Sequence, residues 1–223
     1  CLAPSGGNIQ PWHFHFDKTK GLFLFLDKSH KSYSIDYQFI SSMISLGTAS
    51  ENILLSAENH DNPLAFMFFN DFQNNYPVAH FFPATQKSHP YPKLYNQIGL
   101  RQTNRMLGNQ TEISKLLLNT FSDKSLPFEG HQIKWLAKPQ FDQFADIFGE
   151  IERIRLLDKQ CHKELMDELR WTKEEEIAKK NGISIDSLDL TQNERVSLDF
   201  LKRSDALKLI NDWGVGKGFV EIF

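Results

Sequence analysis

Cysteine is nearly absent from this sequence: Cys1 and Cys161 are the two in 223 residues. That excludes the disulfide framework of small secreted domains and fits a reducing, cytoplasmic compartment or a chain indifferent to redox state. No apolar run approaches the roughly 18 residues that a membrane span requires. Charge of one sign is lacking too, with 25 Lys and Arg against 28 Asp and Glu and a net charge of −3. No whole-chain field therefore favours nucleic acid or an anionic membrane surface, and neither is expected as a partner. Low-complexity stretches are missing as well. At 40% hydrophobic and 24% charged residues, disordered and collagen-like readings fall away. What is present is apolar bulk, nineteen Phe and four Trp, in a length that suits one large domain or two small ones. The chain starts on Cys1, inside what reads as a motif, and we read it as a fragment of a longer protein.

The hydrophobic periods indicate an α+β chain. Trp12, Phe14 and Phe16 alternate with His13, His15 and Asp17. This period of two predicts a half-buried strand with its aromatics in the core and its His/Asp face outward. The run Leu-Phe-Leu-Phe-Leu at 22–26 is apolar on both faces and predicts a central strand. Over 39–59 the spacing of Ile40, Met43, Ile44, Ile53 and Leu54 becomes helical, and Gly47, Ala49 and Ala57 are small enough for close helix approach. Segments 64–69 and 78–82 read as strands separated by a turn around Asn70-Asp71 and Asn74-Asn75. The Pro-rich stretch 88–92 divides the chain into halves at 1–95 and 96–223. The second half reads as a helix over 111–121, a strand over 131–137 around Trp135, and a long helical region over 141–180 ending at Asn181-Gly182. A capping box, Thr191 with Glu194, then opens a helix running to about Trp213, stopped by Gly214, Gly216 and Gly218. Each half thus holds a Trp-bearing strand followed by an Ile- and Leu-rich helix, which suggests two related α+β half-units.

Two stretches carry candidate chemistry. In 3–12, glycines Gly6 and Gly7 permit close backbone approach to a ligand, and Ser5, Asn8 and Gln10 offer the hydroxyl and amide groups that a planar heterocycle needs at its edges. A plain turn leading into a strand explains the same residues. At 101–105, Arg101 and Arg105 flank Thr103, a spacing suited to bidentate contacts with a phosphate. Were Thr103 to cap a following helix, backbone N–H groups would add to the anion site. The alternative here is a solvated basic helix start.

Taken together, these stretches resemble a known family. Pro-Ser-x-x-Asn-x-Gln-Pro-Trp before an aromatic strand is similar to the flavin loop of nitroreductase-like FMN oxidoreductases. The helix around 47–57 looks like that family's small-residue central helix, and Arg-x-Thr-x-Arg resembles its phosphate-gripping Arg motif. In ordinary members the Arg motif precedes the loop, whereas here it follows by about ninety residues. That order, with the stretch 170–195, resembles the tandem, Acg-like branch, including its link to ThiF-type adenylation-domain fusions.

The resemblance implies a nitroreductase-like fold. Two half-units, 1–95 and 96–223, truncated at the N- and C-terminal ends respectively, would form an intrachain pseudo-dimer with mixed or antiparallel sheets packed against helices. It further implies that Pro4, Ser5, Gly6, Asn8 and Gln10 line the isoalloxazine and ribityl side of FMN, and that Arg101, Thr103 and Arg105 hold its phosphate. The activity implied is transfer of hydride from NADH or NADPH through flavin N5 to a nitro or quinone-type acceptor, with no catalytic side chain and no metal. A homodimer or a fused adenylation domain is the implied macromolecular partner. A flavin-storing protein whose site is closed by a lid is the second reading.

Remaining candidates have plainer explanations. His13, His15 and Asp17 share a strand face with metal-ligand spacing, yet a solvated outer face accounts for them. Cys161 and His162 are neighbours on a helix and point about 100° apart, which does not make a nucleophile–base pair. Residues 214–218 resemble a phosphate loop but follow a helix and read as its stop. The run Glu174 to Glu176 reads as a solvated helical face.

Overall fold

The computed structural model describes residues 2–30, 36–69, 76–86, 92–106, 108, 111–124, 133–203 and 205–213. In chain order come β1 (Trp12–Asp17), β2 (Gly21–Leu26), α1 (Ile40–Asn59), β3 (Leu64–Phe68), β4 (Ala79–Pro83), α2 (Tyr95–Ile98), α3 (Lys115–Lys124) and α4 (Lys138–Leu157). They are followed by α5 (Lys159–Glu168), β5 (Leu169–Arg170), α6 (Lys173–Lys179), β6 (Ile183–Ser184), α7 (Gln192–Phe200) and α8 (Ala206–Asp212). The fold class is α+β, as the periodicities indicate. Two compact units are present: Cys1–Asn104 with Lys159–Leu188, and Arg105–Asp158 with Asp189–Phe223. The half-units read from the sequence concern kinship between segments, which packing alone does not address.

The first unit is built on an antiparallel sheet in the order β1-β2-β4-β3. The strand between β1 and β4 is β2, the one apolar on both faces. Its leucines face inward: Leu24, fully buried, lies opposite Phe14 on β1 and Ala79 on β4. Together with Leu46 of α1, Val78 and Phe81 it forms the core, against which Trp12, Met43, Ile53, Leu54 and Leu64 pack. The phenylalanines of β2 face the other way, into a histidine-rich surface. Phe23 stacks on His80 at 4.2 Å with the rings 5° from parallel, and has His15 on its other side at 6.4 Å.

One expectation for β1 is corrected. Trp12 packs on the core, but Phe14 is 36% and Phe16 70% exposed. β1 is an edge strand, and its aromatic face extends past what α1 can cover. The β1–β2 turn is fixed by Asp17, whose carboxylate accepts hydrogen bonds from the Thr19 hydroxyl (2.7 Å) and from the amides of Thr19 (2.8 Å) and Lys20 (2.9 Å). These donors hold its pKa down at about 2.

Helix α1 starts beside a buried carboxylate: Asp36 accepts from the Ser42 amide at 3.1 Å and the Ser42 hydroxyl at 2.5 Å. Ser45 and Ser50 turn their hydroxyls back onto the carbonyls of Ser41 and Leu46, which lets polar side chains sit buried on the helix. Ala49 is fully buried, as a close-packed small residue should be. Gly47 is not used that way: it is exposed, and a side chain there would meet open space.

Segment 141–180 is divided among α4, α5 and α6, with α5 giving way at Glu168 to a two-residue parallel pairing of β5 with β6. Buried Arg170 accounts for the stop: it donates to the carbonyls of Asp167 and Leu169, both at 2.8 Å, and to the Asn181 side chain at 2.6 Å. A cation on the last carbonyls of a helix caps it. Thr172 caps α6 by accepting from the Glu175 amide at 3.3 Å.

The second unit, among the described residues, is helical. α4 packs on α8, and Leu156, Leu198, Leu201, Ala206 and Ile210 are buried. Thr191 and Glu194 form the expected capping box, the Thr191 hydroxyl accepting from the Glu194 amide at 3.3 Å and the Glu194 carboxylate from the Thr191 amide at 2.6 Å. The helix it opens ends at Phe200, and α8 follows as a separate element. The strand expected over 131–137 is corrected where it can be seen. Residues 133–137 are irregular, with Trp135 half exposed and its indole N–H directed to the Ser122 hydroxyl at 3.3 Å. Residues 131, 132, 214–218 and 87–91 lie outside the described ones.

Candidate ligand-binding cleft

The segment before β1 is held in an unusual shape. Gly6 and Gly7 sit in a short 3-10 turn; Gly7 has φ +55°, and Asn8 and Gln10 are both left-handed at φ +54°. Non-glycine residues visit that region rarely, so two in three positions mark a segment held by its surroundings. The first tie is local: the Asn8 amide donates to the Ser5 carbonyl (2.9 Å) and the Gln10 amide to the Ser5 hydroxyl (3.1 Å). Gly6 lies against α1, where a side-chain carbon would stand 2.7 Å from the Ser41 hydroxyl. Pro4 is fixed by Thr48, whose hydroxyl donates toward the Pro4 carbonyl at 3.0 Å.

A cleft of about 520 Å³ opens between this segment and the N-terminal half of α1. Pro4, Ser5 and Gly6 form one wall, Ile40, Ser41, Ile44, Ser45 and Thr48 the other, and Tyr37 and Thr103 border it. The volume falls within the range of small-molecule sites, roughly 300–1,000 Å³. A second strained corner adjoins it, since Gln38 (φ +51°) and Phe39 (φ +62°) are left-handed immediately before α1. Tyr37, Ile40 and Ile44 are exposed, so the cleft presents apolar surface. Its polar lining is hydroxyls and backbone, and among the described residues that border it there is no Asp, Glu, His, Lys or Arg.

The residues singled out in the sequence are distributed as follows. Pro4, Ser5, Gly6 and Thr103 share the cleft although about a hundred positions separate them. Arg101 reaches Thr103, donating to its hydroxyl at 3.2 Å, and also the Leu2 carbonyl at 3.4 Å. Thr103 does not cap a helix: residues 101–105 are irregular, and among the described residues the next helix opens at Lys115. Arg105 belongs to the second unit. Asn8 and Gln10 face a strap formed by residues 168–182 of the same unit. The Asn8 side chain donates to the Gly182 carbonyl (3.1 Å), the Gln10 side chain to the Lys180 carbonyl (2.7 Å), and the Gly182 amide to the Asn8 carbonyl (3.2 Å).

Tyr37, Ser41, Ser45 and Thr48 were not singled out in the sequence, and Ile44 was read there only as part of the apolar stripe of α1. Their signal is faint: exposed Ile on a helix otherwise facing the sheet, and serines at four-residue spacing. The Glu174–Glu176 run is also more engaged than a solvated face. Glu175 accepts from the Trp171 amide at 2.7 Å, and Glu176 accepts from Lys173 at 2.6 Å and from the Ser184 hydroxyl. Those contacts hold both carboxylates below their ordinary pKa. Among the described residues no group of three or more His, Cys, Asp or Glu is arranged to hold a metal ion, and no helix is long and apolar enough to cross a membrane.

No family model matches the chain. It is similar to a protein of Mycobacterium tuberculosis whose description reads uncharacterized protein MT1398, with 32% identity over 218 residues. The match covers 96% of this chain and 29% of that protein, so the chain spans less than a third of its relative's length.

Proposed function

We propose that this chain is the flavin-binding part of a nitroreductase-like, FMN-dependent oxidoreductase that takes reducing equivalents from NADH or NADPH. The observation that supports the reading most is the convergence of the Pro4–Ser5–Gly6 wall and Thr103, with Arg101 bonded to it, at one cleft of about 520 Å³. The residues fit the two ends of FMN in chemical character. Apolar Tyr37, Ile40 and Ile44 with the glycine backbone suit a flat ring, and a guanidinium beside a hydroxyl suits a phosphate.

In this reading Arg101 and Thr103 hold the phosphate, and the 4–6 backbone and Ser5 orient the ring. The strained turn keeps the wall in place, and the apolar α1 residues exclude water. FMN, when bound, supplies the hydride chemistry, a nitro or quinone-type compound being the acceptor.

A second reading has its own observation. Asn8 and Gln10, the amides that the family resemblance assigns to the flavin edge, are bonded to the strap at Lys180 and Gly182. A site whose polar edge is closed by its own chain suits flavin storage without turnover. Reconstitution with excess FMN, removal of free flavin and an absorption spectrum test binding. Retained flavin bands with NAD(P)H consumption on adding a quinone support the reductase. Bands bleached by dithionite and never by NAD(P)H support storage, and a colourless protein rejects both.

A further inference from the structure

The flavin reading leaves part of α1 unexplained. Ala57, which the sequence suggests for close helix packing, borders open space instead. A second cleft, about 560 Å³, lies over the C-terminal half of α1. Ile53 and Ala57 of α1 form its floor and Ile98 of α2 a side. Its polar edge is a pair of rings: the Tyr95 hydroxyl lies 3.4 Å from His60 Nε2, with the rings nearly perpendicular and their centroids 5.8 Å apart. Amide groups from Asn52 and Asn62 also border it.

We propose that this second cleft binds a neutral, planar aromatic molecule bearing a hydroxyl or carbonyl oxygen, the ring lying on Ala57 and Ile53 and the oxygen meeting the His60–Tyr95 pair. Three features carry the inference. The small side chain at 57, beside half-buried Ile53, leaves an apolar floor, where a larger residue would fill the space. The polar groups stand together at one edge, and imidazole, phenol and amide can each match either a donor or an acceptor. Among the described residues that line the cleft there is no Asp, Glu, Lys or Arg, so a charged ligand would find no counter-charge among them. The site is separate from the first cleft, which lies over the N-terminal half of the same helix, and the inference does not depend on flavin binding.

The test is titration of the full chain with 2-naphthol, followed by fluorescence and by the His60 ring proton resonances. Naphthalene and 6-hydroxynaphthalene-2-sulfonate serve as comparison probes. Saturable 2-naphthol binding that shifts the His60 resonances is expected, with the sulfonate at least tenfold weaker. Tyr95→Phe should weaken 2-naphthol about two- to tenfold, the value of one hydrogen bond, and leave naphthalene unchanged. Ala57→Trp should abolish binding; Ile98→Trp provides the same block from α2 should the first variant not fold. Absence of saturable binding, equal affinity for the sulfonate, or loss of binding in Ile44→Trp but not in Ala57→Trp or Ile98→Trp would each overturn the proposal.

Discussion

The carboxylate of Glu168 occupies the space in which a side chain on Gly7 would begin. The last residue of α5 thus reads the absence of a side chain 161 positions earlier, and Gly7 is also left-handed at φ +55°. Gly7→Ala should cost about 1–2 kcal/mol for the backbone conformation alone and more for the collision. Adding Glu168→Ala should return the collision part and leave the conformational part. Urea unfolding of the two single variants and the double gives the coupling. A coupling of at least about 0.5 kcal/mol is expected, and simple additivity would separate the two residues.

Asp17 makes a pH prediction with a definite sign. Its carboxyl is held at about 2 in the folded chain against an ordinary 3.8. A folded-state pKa below the unfolded one stabilises wherever the group is ionised in both states, and that contribution fades as protons bind to the unfolded chain first. The Asp17 contribution is therefore complete above about 3.8 and is lost as pH falls toward 2. Acid unfolding of wild type and Asp17→Asn should converge at the low end of that window and differ above it. A constant offset across the whole range would deny Asp17 this role.

One face of the β1–β2 pair makes a stability contrast along its length. Leu24 is fully buried between sheet and α1, and its truncation to Ala should cost about 2–5 kcal/mol. Phe16 is 70% exposed, and Phe16→Ser should stay within about 0.5 kcal/mol of wild type. Thermal or urea midpoints decide the matter. A large loss at Phe16 would mean that something covers the end of β1.

For the flavin reading, Arg101→Ala should weaken FMN retention about ten- to a hundredfold, the loss of a charge-assisted contact. Thr103→Ala should weaken it less, because Arg101 also reaches the Leu2 carbonyl and keeps a second anchor. Lys115→Ala, at the start of α3, should retain flavin as wild type does. Equal retention in all three removes the phosphate assignment while leaving the second cleft untouched.

Much of the first unit was legible because its signals are local. Period-two alternation finds β1, leucines and phenylalanines on opposite sides find the central β2, and helical spacing finds α1. What escaped was decided by distant segments. The exposure of Phe16 depends on what packs over the sheet, where α1 meets β2 and β3, and not on the alternation within β1. The end of α5 depends on buried Arg170, which breaks no helical pattern, and on its contact with Asn181 eleven residues on. Thr103 has the chemistry of a helix cap, but the residues directly after it, 104 and 105, are irregular. For the site, Pro4, Ser5, Gly6 and Thr103 were identifiable from residue type. The strap contacts of Asn8 and Gln10 were not, because an amide that can meet a ligand can equally meet a carbonyl 170 residues away.

The return of 159–188 to the first unit has a consequence for synthesis of the chain on the ribosome. The β1–β2 hairpin needs about fifteen neighbouring residues and can close early. The contact from Asn8 to Gly182 spans 174 positions, so it waits until a 54-residue stretch of the other unit, 105–158, has passed. Until then the left-handed turn lacks its distant partners, and Asn8 and Gln10 keep their amides for water. A nascent chain stopped short of residue 180 should therefore carry a formed hairpin and a loose turn. The shape of the 8–10 turn is thus among the last features of the first unit to be set.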